Sequence, residues 1–220
     1  MKDKRITLKL ANQSIYEAFN RLIVDYDLSI GFEQSMLDKK HDDYQFEVNV
    51  PYEGAGEQRS DGTKSNDFLG FPKIKGHFIT VDYKAGRLED VLNDIFRQMK
   101  NYSWTISDDM IEIFPIRGRD SIIMNLMNLH ISEFMLGAGT KLLNIKSDLI
   151  HLPEVQAFLA RNDVEAETGV GVWYTERYLK EEKKYSAISL KDLLNGIVKI
   201  KRGGWIVKRS LHTGAIDIVI

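Results

Sequence analysis

Five histidines, His41, His77, His130, His151 and His212, are the side chains best suited to hold a metal or move a proton near neutral pH. No two are spaced to share one helical turn, and no H-E-x-x-H occurs, so each reads as a surface or strand-end histidine. The chain has no cysteine, which excludes disulfides, thiolate metal sites and a cysteine nucleophile. Gly54-Ala55-Gly56, Asp61-Gly62-Thr63-Lys64-Ser65 and Gly137-Ala138-Gly139-Thr140-Lys141 have the composition of phosphate loops. They lack the G-x-x-x-x-G-K-[ST] spacing and a strand running into it, so they read as flexible loops. Asp108 and Asp109 would make an acid–base pair, but between two alternating segments they read as turn formers. No G-x-S-x-G elbow is present. The expectation is therefore a non-enzymatic protein, with no catalytic residue, no metal ligand and no cofactor.

One charged cluster carries a second reading. Lys199, Lys201, Arg202, Lys208 and Arg209 surround Trp205, and cations interleaved with an aromatic can grip single-stranded nucleic acid. Against this, 30 Lys and Arg nearly balance 32 Asp and Glu, so the chain has no global basic footprint. Cations at a helix end also complement its dipole. Nucleic-acid binding through these five residues is the alternative to the reading developed below. The small mixed fold is also similar to KH domains, but the G-x-x-G loop between helices is missing.

The elements that would position these residues are legible in stretches. Ile6 to Leu10 alternates as a half-buried strand. Ser14 and Glu17 form a capping box ahead of a helix stripe of Ile15, Ala18, Phe19, Leu22 and Ile23. Ser29 to Glu33 returns as a strand. Tyr44 to Val50 alternates as another, and Pro51 to Gly76, rich in Gly, Ser, Asp and Lys, reads as a mobile loop. Phe78 to Tyr83 is a strand, and Leu88, Val91, Leu92, Ile95, Phe96 and Met99 stripe a helix. Tyr102 to Ile106 and Met110 to Phe114 are two strands around the turn Ser107-Asp108-Asp109. Pro115 to Asp120 reads as a linker. Ile122 to Leu136 is apolar with mixed periodicity and fits strand or helix. Leu152, Val155, Phe158 and Leu159 stripe a helix that Pro153 opens. Gly169 to Tyr174 and Lys184 to Ile188 are strand candidates. Ser189 caps a helix carrying Leu190, Leu193, Leu194, Ile197 and Val198. Trp205 to Val207 and Ala215 to Ile220 close the chain as a hairpin.

Leu88-Glu89-Asp90-Val91-Leu92-Asn93-Asp94-Ile95-Phe96 matches Leu190-Lys191-Asp192-Leu193-Leu194-Asn195-Gly196-Ile197-Val198 in register. Each helix leads to a tryptophan, Trp104 and Trp205, and then to an alternating strand. A repeat of this kind sets architecture. The expected fold class is α+β: two tandem small modules, residues 1–116 with a flexible insertion at about 35–76 and residues 121–220, each with two helices packed on short mixed sheets.

The strand at Ile6 to Leu10, the helix from Ser14, the strand at Ser29 to Phe32 and the run Tyr83-Lys84-Ala85-Gly86-Arg87-Leu88-Glu89-Asp90-Val91-Leu92 resemble the secretin and TonB-receptor short N-terminal domain. The resemblance spans roughly Arg5 to Ile116 without the insertion, and more loosely Ser121 to Ile220. It implies a periplasmic docking domain of a bacterial envelope assembly, with a protein partner or self-association and no catalytic residues. The chain departs from that family in its long insertion and in having no outer-membrane barrel segment. The first residues lack the apolar core of a signal peptide, so a cytoplasmic chain and a processed exported one are both open. No apolar run reaches the roughly 20 residues a membrane helix needs, so no membrane-spanning segment is expected.

Overall fold

The computed structural model describes residues 1–35, 78–141, 144–167, 179–201, 203–210 and 213–220. The expected strands at Tyr44 to Val50 and Gly169 to Tyr174, and the loop Pro51 to Gly76, lie outside them. The described residues form an α+β structure. In chain order its elements are β1 (Arg5–Ser14), α1 (Ile15–Tyr26), β2 (Ser29–Glu33), β3 (Phe78–Arg87), α2 (Leu88–Gln98), β4 (Tyr102–Ser107), β5 (Met110–Pro115), α3 (Ser121–Met127) and β6 (His130–Leu136). They continue with α4 (Ile145–Ile150), α5 (Pro153–Arg161), β7 (Lys183–Ser189), α6 (Leu190–Lys201), β8 (Gly204–Arg209) and β9 (Ile216–Val219).

Local chemistry accounts for the helix boundaries. The Ser14 hydroxyl accepts the Glu17 N–H at 3.2 Å and starts α1. Asp27, in the left-handed region at φ 56°, stops it by donating its N–H back to Ile23 and Leu22 carbonyls. Asp120 caps α3 by accepting the Ile122 N–H at 2.8 Å. The undecided stretch Ile122 to Leu136 contains both periods: α3 ends at Met127 and β6 begins at His130. The linker is pinned rather than loose, because Asn101 exchanges side-chain hydrogen bonds with Arg117 and donates to Ser35 Oγ.

Pairing in the two halves follows one scheme. β1 runs antiparallel to β3, as β6 does to β7. β4 and β5 form an antiparallel hairpin, as β8 and β9 do. β2 lies parallel to β5, and Ala166 bridges in parallel to Ile216. The Tyr83-x-Ala85 pair before α2 recurs as Tyr185-x-Ala187 before α6, and both alanines sit in the left-handed region, at φ 58° and 52°. In each half the helices lie between a two-stranded ribbon and a sheet.

That sheet is common to both halves. β2 also pairs in parallel with β8, giving one five-stranded sheet in the order β4-β5-β2-β8-β9. Ile30, Phe32, Ile111 and Ile113 face one way, into a core with α1, α2, β1 and β3. Met110, Trp205, Val207, Ile216 and Ile218 face the other way, into a core with α3, α5, α6 and β6. All five residues of β2 are buried, as expected of a strand covered on both faces. Gly31 is required there: a Cβ would lie 2.4 Å from Trp205 Cζ2 and 2.9 Å from Met110 Cε.

Candidate interaction surface

Buried polar groups are paired both across the junction of the halves and within the second half. Trp205 Nε1–H donates to Asn195 Oδ1 at 2.8 Å, Asn195 Nδ2 donates to Glu112 Oε1 at 3.2 Å, and Lys191 Nζ reaches Glu112 Oε2 at 2.7 Å. Glu33, its side chain only 3% exposed, takes a two-pronged grip from Arg119 at 2.8 and 2.7 Å. Asp217 receives Lys146 at 2.7 Å and Lys208 at 3.4 Å, and Asp120 receives Arg209 at 3.4 Å. These are buried charges with partners, as burial demands.

This pairing bears on the basic cluster. Lys208 and Arg209 stand on β8 and face Asp217 and Asp120, and Arg209 Nε also donates to the Gly214 carbonyl at 3.0 Å. Lys199 is exposed near the end of α6, Lys201 is the last residue of that helix, and Arg202 lies outside the described residues. Trp205 is buried in the core, where no base can stack on it. Among the described residues, then, Lys208 and Arg209 are engaged by carboxylates and the tryptophan between them and α6 is buried.

His130 is exposed at the start of β6, and the exposed His151 ring bonds the Ser147 carbonyl at 2.7 Å. His41, His77 and His212 lie outside the described residues. Asp108 and Asp109, at φ 48° and 59°, form the two-residue hairpin loop between β4 and β5. Among the described residues no three His, Asp or Glu side chains converge as a metal site, and no helix is long and apolar enough to cross a membrane. A cavity of about 400 Å³ is lined by Leu159, Asp163, Val164, Glu165, Arg209 and Gly214. Its one cation is already engaged by Asp120 and Gly214.

Tyr83 donates to Asp94 across the start of α2, and this bond, with burial, pushes its phenol up to about 12. Burial alone raises Tyr185, its counterpart before α6. The Ser132 N–H, donated at 3.0 Å, holds the Glu154 carboxyl below its ordinary value. These groups tie ribbons to helices and face no common cavity.

Among the described residues, no strand pairs with the outer edge of β4. Asn101 accepts the Ile116 N–H at 2.7 Å, so the register places the β5 bonds on Ser103, Thr105 and Ser107. The N–H and C=O groups of Trp104 and Ile106 therefore point outward. Tyr102-Ser103-Trp104-Thr105-Ile106-Ser107 has no charge, no proline and no register break. The ribbons are guarded: β1 and β3 carry Arg5, Lys9, Asp82 and Lys84 with two register shifts, and β7 carries Lys183 and Lys184. Exposed strands in folded proteins usually bear such protection, so its lack on β4 marks that edge for pairing.

The chain matches no family model, no curated protein and no solved structure.

The sequence had named no site residue on β4. The available signal was a six-residue run of high strand propensity without a gatekeeping charge, and it became visible only once β4 was known to be terminal.

Proposed function

We propose that the chain is a non-enzymatic docking module of a bacterial cell-envelope assembly, working by addition of a partner strand to β4. The observation that carries this reading is the uncharged β4 strand, whose outer edge pairs with no other strand among the described residues, on a sheet with a core packed on each face. Main-chain donors and acceptors on such an edge provide affinity, and the flanking side chains, Trp104 and Ile106 on one face and Ser103 and Thr105 on the other, provide selectivity. The element order β1-α1-β2, then β3-α2-β4-β5, supports the resemblance to the secretin and TonB-receptor short N-terminal domain and with it the periplasmic setting.

The test is site-specific photo-crosslinking in bacterial cells. A crosslinking residue at Thr105, exposed on β4, should capture an envelope protein that mass spectrometry identifies. The same residue at the exposed Val24 of α1 should not. Equal capture from both positions, or none from Thr105, would remove the reading.

A further inference from the structure

The two halves are joined in a way that can be repeated. Strand directions in the sheet run β4 down, β5 up, β2 up, then β8 up, β9 down and residues 165–167 down. The second trio keeps the lateral order of the first and reverses its direction. That relation is a half-turn about an axis lying in the sheet and crossing the strands, with a shift of three strands. It explains why the helices of the two halves fall on opposite faces.

The trios meet where β2 pairs in parallel with β8, Ile30 opposite Gly204 and Gly31 opposite Trp205. The backbone pattern of both halves of this junction recurs at the two ends of the sheet formed by the described residues, with Ser103 in the place of Gly204. β4 is the counterpart of β8: Trp104 and Trp205 each point their main chain away from their hairpin partner and their ring toward their own core. Residues 165–167 are the counterpart of β2. Ile30 and Ala166 each lie three residues after a left-handed aspartate, Asp27 and Asp163. Ile216 donates to the Glu165 carbonyl at 2.8 Å and accepts the Glu167 N–H at 2.8 Å, so the Ala166 N–H and C=O point away from β9. Ile30 in the same orientation donates to the Gly203 carbonyl at 3.3 Å across the internal junction.

We propose that the chain associates head to tail with further copies of itself, β4 of one copy running parallel to residues 165–167 of the next with Ser103 opposite Ala166. A second half-turn restores strand direction and helix faces, so the junction keeps the parallel sense of β2 with β8. Each copy advances the sheet by six strands, about 29 Å at the usual strand spacing of ~4.8 Å. A contact between two different edges leaves a free edge at each end, so it grows open chains rather than stopping at a dimer. The junction is weaker than the internal one. Glu167 occupies the place of Gly31 and leaves no slot for the Trp104 ring.

This inference rests on reading the chain as a docking module. It is tested by sedimentation velocity of the intact chain from micromolar to near-millimolar concentration. The sedimentation coefficient should rise without a plateau. Ala166→Pro removes an N–H that no β9 bond uses, and should hold the chain monomeric. Ser103→Glu together with Ala166→Glu, whose side chains would share one face across the junction, should weaken association at least tenfold, whereas Ser103→Lys together with Ala166→Glu should preserve or strengthen it. Circular dichroism confirms that each variant is folded. A monomer at every concentration, a plateau at dimer, or equal weakening by the two double variants overturns the proposal; equal weakening would indicate β4 paired with β4. A monomer that still crosslinks to an envelope protein through Thr105 overturns self-association alone and leaves the docking reading standing.

Discussion

Gly31→Ala tests whether the two halves are held by the fit of Trp205 against β2. The new methyl carbon would sit 2.4 Å from Cζ2 and 2.5 Å from Cε2 of the indole. Carbon atoms rest at about 3.5–4.0 Å, so the ring must move by roughly 1 Å. Its Nε1–H donates to Asn195 at 2.8 Å, and a retreat of that size breaks the bond. Overpacking of this kind costs about 1–3 kcal/mol. A buried polar pair left open adds about 1–3 kcal/mol. Together the loss is about 2–6 kcal/mol, against a total near 5–15 kcal/mol for a typical protein. Urea unfolding followed by far-ultraviolet circular dichroism measures it. Trp205→Phe in the same chain should recover part of the loss, with a coupling energy above about 1 kcal/mol, since the two residues touch. A destabilisation under about 1 kcal/mol for Gly31→Ala, or strict additivity with Trp205→Phe, would refute the argument that this contact joins the halves.

Tyr83 is stabilised in its protonated form, so its contribution is fully present below pH ~10 and is lost as pH rises toward about 12. Tyr83→Phe should flatten the alkaline fall in stability across that window, measured by thermal melts at stepped pH. Arg119→Met leaves the buried Glu33 carboxylate without its cation, and should cost about 2–4 kcal/mol in urea unfolding, near the low end for buried pairs because Arg119 is partly solvated. Ala85→Gly and Ala187→Gly relieve left-handed alanines, and each should change the melting free energy by no more than about 1 kcal/mol, in the stabilising direction or near neutral.

The parts of the fold visible in the sequence are those governed by local rules. The stripes of α1, α2 and α6, the Ser14 cap and the Asp108-Asp109 turn all depend on neighbours within a few residues. Helix α4 escaped because six residues are too few to display a period. The extension of β3 through Arg87 escaped because it passes through a left-handed alanine, where glycine or asparagine is the usual signal. The repeated Tyr-x-Ala that marks this entry in both halves was there to be aligned, but a short motif without chemistry draws no notice. The shared sheet was not legible, since β2 pairs with a strand far along the chain. An isolated glycine within a buried strand was its one trace. The pairing of Arg209 was not legible for the same reason: Asp120, its partner, lies 89 residues away.

The join between β2 and β8 also sets a timetable for the chain as it is made. Roughly 170 residues separate the two strands, which at ~5–20 residues per second is on the order of 10–30 seconds of synthesis. Through that interval the first half can close its ribbon over α1 and α2, yet β2 waits with an unpaired edge and the Gly31 slot empty of its indole. A nascent chain in that condition is open to any strand that passes, including the β2 of a neighbouring nascent copy. Slowing the second half, or truncating it before Gly204, should therefore convert soluble product into aggregate.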